Sequence, residues 1–462
     1  MKGQNRTAFF NILSTVLLNG ISIFTSPLFS RMLGDSNYGV VSVYSTWVYL
    51  VAILFSLQTY QTLVHARSEF PEAEQKSYQS AVMSLSCMVF MVCAAAVIIF
   101  LGPISSLLKL EKGIVLLILL QAFGTYCVNF VNNKFTYEFK AGYNFAISMV
   151  TTIFTVVLSI VLIRIFPEDI NYYGRILALA ITYGILGSVF CVYILAKGKT
   201  FFRKEYWNFC VPLALPLIFQ CLSDLLLGQS DRIVIQQMGT DAMVGHYSLA
   251  SNFVSVIYSV FVALNNSWCP FFYENMRHHN RDNVQKLSRN YLELYTVLAM
   301  GFMLLAKEVY HVFASEEFWA GTELIPILTA SYYIVFLTAL PSAYELHHRK
   351  VKVGAVLVAL ATIINVVLNY FLIRAMGIVG AAVATAISHA IQFLLHQIFA
   401  SRIQQKGEYP FPFKLLAPYI LSFFAVCAVV VLVWETWWVR WVVGAALGIW
   451  EVYRIYKRKT IL

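Results

Sequence analysis

Pro212, Pro216, Gln220, Asp224 and Gly228 follow one another at four-residue steps, drawing a narrow, slowly drifting stripe along one apolar segment. The stripe carries a carboxylate, an amide and two prolines that free backbone carbonyls and bend a helix. A carboxylate so placed can hold a proton, bind a cation or accept hydrogen bonds from a polar cargo, because a lone charge in hydrocarbon is costly. The plainer reading of Asp224 is a structural carboxyl kept protonated or hydrogen-bonded. Other stripes repeat the pattern: Asn11, Thr15, Asn19, Pro27 and Arg31; then Gln121, Thr125, Asn129 and Asn133; then Asn365 and Asn369. Each amide alone is best explained by interhelical hydrogen bonding. Together, on several segments, they suggest a hydrophilic cavity. The residues expected to line it are Asn19, Arg31, Asn129, Asn133, Gln220, Asp224, Arg232, Asn365 and Asn369. Arg31, Arg164, Arg232 and Arg374 also sit near outer segment ends, where snorkelling to headgroups competes with cargo contact.

Other chemistries leave no trace. The 8 cysteines fall in or beside apolar segments without a CxxC spacing, so neither a disulfide framework nor a zinc site is signalled. The His278-His279 and His347-His348 pairs lie in basic loops without Cys or acidic ligands at regular spacing, which fits solvated histidines better than a metal. No GxxxxGK[ST] motif occurs, so the chain has no ATPase of its own. No cofactor is expected, and no nucleophile or acid–base pair suggests an enzyme.

These stripes require a bilayer around them. The chain is 59% hydrophobic and 12% charged with mean hydropathy +0.70, far from the quarter or so of charged residues usual in soluble domains. Apolar runs of about 20 residues recur throughout and predict an all-α polytopic membrane protein. About fourteen helices are expected, at 8–31, 40–62, 80–102, 113–133, 146–166, 175–196, 209–238, 244–266, 291–313, 323–343, 353–374, 378–400, 415–434 and 437–453. The first run, after MKGQNR, lacks a small-residue cleavage site and reads as a retained helix. Most of the 33 Lys and Arg fall in alternate loops and in the tail, which places both termini in the cytoplasm. That bias, with attraction to anionic lipids, accounts for the net charge of +10 without nucleic acid.

The chain is also duplicated. TIFTVVLSIVLIR from Thr152 returns as TIINVVLNYFLIR from Thr362; Gly34 corresponds to Gly239, and Gly174, Ala178, Ala180 and Ile181 to Gly380, Ala384, Ala386 and Ile387. The offsets cluster near 206 residues and imply two six-helix lobes of one orientation, related by an axis along the membrane normal. The expected division is 1–196 for the first lobe, 197–208 for a cytoplasmic linker and 209–400 for the second lobe. Residues 401–462 would add two helices and a basic tail, with Trp434, Trp437, Trp438 and Trp441 in an outer aromatic belt.

RMLGDSNYG after the first helix, SDRIVIQQMGTDAMVGHYSLA after the seventh, and NVVLNYFLIRAMGIVGAAVATAIS across the eleventh and twelfth resemble recurring signatures of one group. That group is the polysaccharide exporter branch, including O-antigen flippases, of the multidrug, oligosaccharidyl-lipid and polysaccharide exporter superfamily. The resemblance spans essentially the whole chain. It implies a central cavity open alternately to each side and flipping of an undecaprenyl-pyrophosphate-linked repeat unit to the outer leaflet, for a surface glycan such as O-antigen or teichoic acid. It further implies a cationic cavity for the pyrophosphate, a plasma-membrane location, and a polysaccharide polymerase with its chain-length machinery as partners. A drug/cation antiporter of the same superfamily and a membrane polymerase or ligase are the competing readings. The first normally has twelve helices and a carboxylate in the first lobe, and the second a large outer loop that this sequence lacks.

Overall fold

The computed structural model describes residues 2–138, 140–403 and 409–458, with side chains from Thr25 onward apart from Ala141 and Arg458. Asn19 therefore lies outside the described side chains. Among the described residues there is no strand. In chain order the helices are α1 (Lys2–Phe55), α2 (Leu63–Glu69), α3 (Gln75–Ile99), α4 (Leu101–Leu108), α5 (Lys112–Tyr137), α6 (Ala141–Ile165), α7 (Tyr172–Gly198), α8 (Lys204–Met238), α9 (Asp241–Arg277), α10 (Arg281–Phe313), α11 (Leu324–His347), α12 (Val351–Arg402), α13 (Phe413–Leu432) and α14 (Trp437–Arg458). Ten are long and apolar enough to cross a membrane. α1 and α12 each hold two of the expected spans, joined at Gly34 (φ 74°) and Gly377 (φ 60°). A side chain at either position would meet the steric penalty of the left-handed region, so only glycine turns the chain there cheaply.

The second arm of α1 ends earlier than the sequence predicts. Leu57 and Gln58 take φ of 56° and 50°, and the chain re-forms as a 3-10 turn at Thr59–Thr62. Hydroxyls replace the interrupted helical bonds. Ser86 Oγ donates to the Ser56 carbonyl at 2.6 Å, Thr59 Oγ1 lies 2.8 Å from both Ser86 Oγ and Tyr126 OH, and Thr62 Oγ1 lies 2.7 Å from Tyr78 OH. Irregular backbone at membrane depth is tolerated where protein satisfies it in this way.

The chain divides into two compact units, Met1–Gly245 and His246–Leu462. In the first, α5 and α7 pack closely, flanked by α1, α3, α6 and α8. Phe70, Tyr78, Tyr206 and Phe209 form an aromatic cluster near the start of α8. α8 begins at Lys204, inside the segment read as a linker, and is tied down there. Tyr206 OH and Arg203 Nη1 donate to Glu74 Oε2 at 2.5 and 3.0 Å, and Trp207 Nε1 donates to the Ala81 carbonyl at 2.9 Å. Cys87, Cys127 and Cys191, far apart in sequence, meet in this unit, with the Cys87 and Cys191 sulfurs 3.5 Å apart.

In the second unit α10 packs on α13 and α14, and α11 packs on α12. Tyr291, Tyr295, Tyr333 and Phe336 fill its interior. α14 is fastened to α10 by the Arg440–Glu308 and Arg454–Glu293 ion pairs, while Lys307 and Arg440 lie over the Trp434 ring. The outward faces are apolar: Ile99, Val312 and Leu432 are 75%, 78% and 84% exposed, which suits lipid and would be a liability in water.

The duplication survives as geometry. A Cβ at Gly174 would stand 2.6 Å from the Leu162 carbonyl carbon and the Ile163 nitrogen, and one at Gly380 2.0 Å from the Leu372 oxygen and 2.9 Å from the Ile373 nitrogen. The same pair of repeat residues meets the same glycine in each unit.

Candidate substrate-facing site

Within the first unit, α8 lies along the second arm of α1 and the turn that follows it. The facing side chains are polar. Gln61 Nε2 donates to Cys221 Sγ at 3.0 Å, Thr46 Oγ1 lies 3.5 Å from Gln229 Oε1, and Arg232 is within electrostatic reach of Tyr49. Asp224 lies three residues beyond Cys221 and is exposed, as is Gln220; Arg232 is half-buried. α8 thus sets Cys221, Gln229 and Arg232 against residues of the 46–61 stretch that sequence reasoning had not selected, while Gln220 and Asp224 are exposed on the same helix. Arg31, at the end of the first arm of α1, is exposed.

Two other predicted sets are occupied elsewhere. Asn133 Nδ2 donates to the Asn129 carbonyl at 2.9 Å, so its amide is engaged along its own helix, α5. Nearby, Lys134 and Lys140 lie 3.0 and 2.8 Å from the Glu138 carboxylate oxygens. Partial burial works to raise the Glu138 carboxyl, but hydrogen bonds and charge from Lys140 and Lys134 hold it below the usual carboxylate range. In the second unit, Asn369 Nδ2 donates to Asn365 Oδ1 at 3.0 Å and Asn365 Nδ2 to Thr385 Oγ1 at 3.4 Å. Both asparagines are fully buried; the Asn365–Thr385 bond spans the two arms of α12, while Asn369 bonds along its own arm.

Arg175 was missed. Its Nη1 donates to Ser159 Oγ at 2.6 Å, its guanidinium stacks 3.9 Å over the Phe29 ring, and Tyr38 and Tyr183 lie within electrostatic reach. Tyr183 in turn reaches Tyr49, which extends the cluster toward Arg232. Among the described residues no carboxylate pairs with Arg175. The repeat held a signal: Arg175 directly follows Gly174, where the second copy has Ala381 after Gly380. A guanidinium stacked on an aromatic face and bonded to a hydroxyl keeps its charge and can receive an anion in planar fashion.

Residues 5–276, more than half of the chain, match the family described as polysaccharide biosynthesis protein. The chain belongs to that family. Lsg locus putative protein 1 of Haemophilus influenzae is 23% identical over 267 residues, covering 54% of this chain and 61% of that protein, so the match spans under two thirds of the curated relative. The fold matches that of the lipid II flippase MurJ in an inward closed conformation, with a TM-score of 0.72, 13% identity and coverage of 98% of this chain and 99% of that one. It also matches the Vibrio cholerae MATE transporter VcmN, with a TM-score of 0.59, 13% identity and coverage of 89% and 100%. At such identity these likenesses are ones of fold. This member of the polysaccharide biosynthesis family is a multi-pass, all-helical membrane protein with the architecture of flippases and transporters.

Proposed function

We propose that the protein is a flippase that carries an undecaprenyl-pyrophosphate-linked oligosaccharide repeat unit from the inner to the outer leaflet of the plasma membrane. It works by alternating access of two lobes, 1–196 and 209–400, with 197–208 and both termini in the cytoplasm and 401–462 as an addition. The observation that carries this reading is Arg175, a cation in the first turn of α7 with aromatic and hydroxyl neighbours and no paired carboxylate among the described residues, in a chain of the polysaccharide biosynthesis family. A diphosphate has the charge and the planar oxygen edges that guanidinium groups favour. Tyr49, Thr46, Gln61 and Gln229 on the adjoining seam offer the hydroxyl and amide partners a sugar head needs, while the prenyl tail stays in lipid. Anionic lipids would neutralise the basic loops. A polysaccharide polymerase and its chain-length machinery would take the product.

Substrate and product differ only in leaflet, so no bond is made or broken. Deleting the gene should stop surface polysaccharide while lipid-linked units accumulate on the cytoplasmic leaflet, as read by leaflet-resolved sugar labelling. Single units already on the outer face would overturn the reading. The MATE-like fold favours a drug/cation antiporter as the second reading, while Asp224 lies in the second lobe and not in the first, where such antiporters carry their carboxylate. In that case deletion would leave the glycan untouched and raise sensitivity to cationic compounds.

A further inference from the structure

Glu345, near the end of α11, and His396, in the last turns of α12, form a carboxylate–imidazole pair in the interior of the second unit. His396 Nδ1 lies 3.0 and 2.9 Å from the two carboxylate oxygens, and each residue is 3% exposed. The other ring nitrogen, Nε2, is buried and has no hydrogen-bond partner among the described residues. A charged imidazolium would leave an N–H buried and unsatisfied there, which is unfavourable. A neutral ring with its proton on Nδ1 leaves only a lone pair.

Among the described residues, no other ion pair involves Glu345 or His396. Tyr409 before α13 is within electrostatic reach of Glu345 and of Tyr344 on α11, and Ser342 Oγ is 3.5 Å from Nδ1. The His348 ring lies tilted against the Tyr344 ring, 4.4 Å between centroids, and His347 lies beside His348 and His279. Arg349, Lys350 and Lys352 are exposed, and Arg281 from α10 reaches only the Tyr409 carbonyl, at 3.3 Å. His396 is the one cation-forming group bonded to Glu345 among the described residues. Three helical segments converge here, because a Cβ at Gly354, on the first arm of α12, would stand 3.2 Å from Glu345 Oε2. Gln397 adds a fourth element, accepting from Tyr409 OH at 2.6 Å and donating to the Phe411 carbonyl at 2.7 Å.

We propose that Glu345 and His396 form a proton-exchange site that couples uptake of one proton to the arrangement of α11, both arms of α12 and the Tyr409–Phe411 segment. A proton from water binds the Glu345 carboxylate, and the ring keeps its own proton on Nδ1, so Nε2 stays a lone pair. The resulting acid accepts from the Nδ1–H through its carbonyl oxygen. One proton has entered, and the pair has gone from one negative charge to none. The bond joining α11 to the second arm of α12 changes from charge-assisted to neutral and weakens accordingly. That this proton drives transport rests on the flippase reading; the site itself does not.

The test uses the full-length protein in phosphatidylethanolamine/phosphatidylglycerol vesicles. Hydrogen exchange in peptides covering 341–348 and 409–416, corrected for chemical exchange, should change about tenfold on acidification, the equivalent of roughly 1.4 kcal/mol. The transition should vanish in Glu345→Gln and His396→Gln. Infrared difference spectra on acidification should show a new carboxylic acid band in the wild type that Glu345→Gln lacks. An unchanged transition in both variants, or no such band in the wild type, overturns the proposal. If neither variant folds, the wild-type band decides alone. Neither readout involves glycan, so failure of the flippase reading would leave this result standing; surface polysaccharide in Glu345→Gln then tests the coupling.

Discussion

Gly39 and Gly245 hold reciprocal places. A Cβ at Gly39 would stand 1.8 Å from the backbone oxygen of Asp241, and one at Gly245 would stand 2.0 Å from the backbone oxygen of Asp35. Asp35 precedes Gly39 by four residues and Asp241 precedes Gly245 by four, so two copies of one motif cross with their backbones in contact. Small residues permit such approaches between membrane helices, where van der Waals contact replaces the hydrophobic effect.

Gly39→Ala and Gly245→Ala are therefore expected to destabilise the protein by about 3 kcal/mol each, at the upper end for overpacking, because rigid backbone cannot yield as a side chain can. The double variant should cost less than the sum, since either one already forces the crossing apart. Thermal unfolding of detergent-purified protein checks this, and wild-type melting of both single variants would refute the close crossing.

Arg175→Gln should abolish glycan export while the protein still reaches the membrane. Arg175→Lys keeps the charge but loses the planar fork and the stacking on Phe29, and is expected to slow export about tenfold, or roughly 1.4 kcal/mol. Export comparable to wild type in both variants would remove Arg175 from the anion site.

Asp224 is exposed on α8, so Asp224→Asn has room to be accommodated. Surface polysaccharide should fall while protein abundance stays near normal. Disappearance of the variant from the membrane would instead assign Asp224 a structural role.

Lys199 is exposed just after α7, and with the proposed topology it faces the cytoplasm. Cysteine placed there in a background without native cysteines should resist an impermeant thiol reagent in intact cells and react after permeabilisation. Ready labelling in intact cells would invert the orientation.

The lowered Glu138 carboxyl contributes stability that is present above its unfolded pKa, near 4.3, and is lost as pH falls through the lower folded value. The group is partly exposed, so the effect should stay below about 1 kcal/mol. Lys140→Met should flatten the acid limb of thermal stability measured from pH 5 downward, and an unchanged limb would show that the pair is silent.

Hydropathy and repetition were enough to specify a duplicated helical membrane protein, because a bilayer forces long apolar helices whatever their neighbours. The bond from Asn365 to Thr385 on the other arm of α12 fits the same logic, because a buried amide in hydrocarbon must find a partner. What periodicity cannot say is which helix a face meets. Ser159 and Arg175 in the first unit stand where Asn369 and Ala381 stand in the second, a small hydroxyl beside a large cation against a large amide beside a small methyl. Each member of such a pair is unremarkable on its own helix, and only the packing of α6 on α7 shows that Arg175 meets Ser159. The same holds for the three cysteines, for Gly39 over Asp241, and for Glu345 with His396, 51 residues apart on different helices. Their contacts are set by how the helices pack, and that is fixed by the sum of many side-chain fits rather than by any local pattern in the chain.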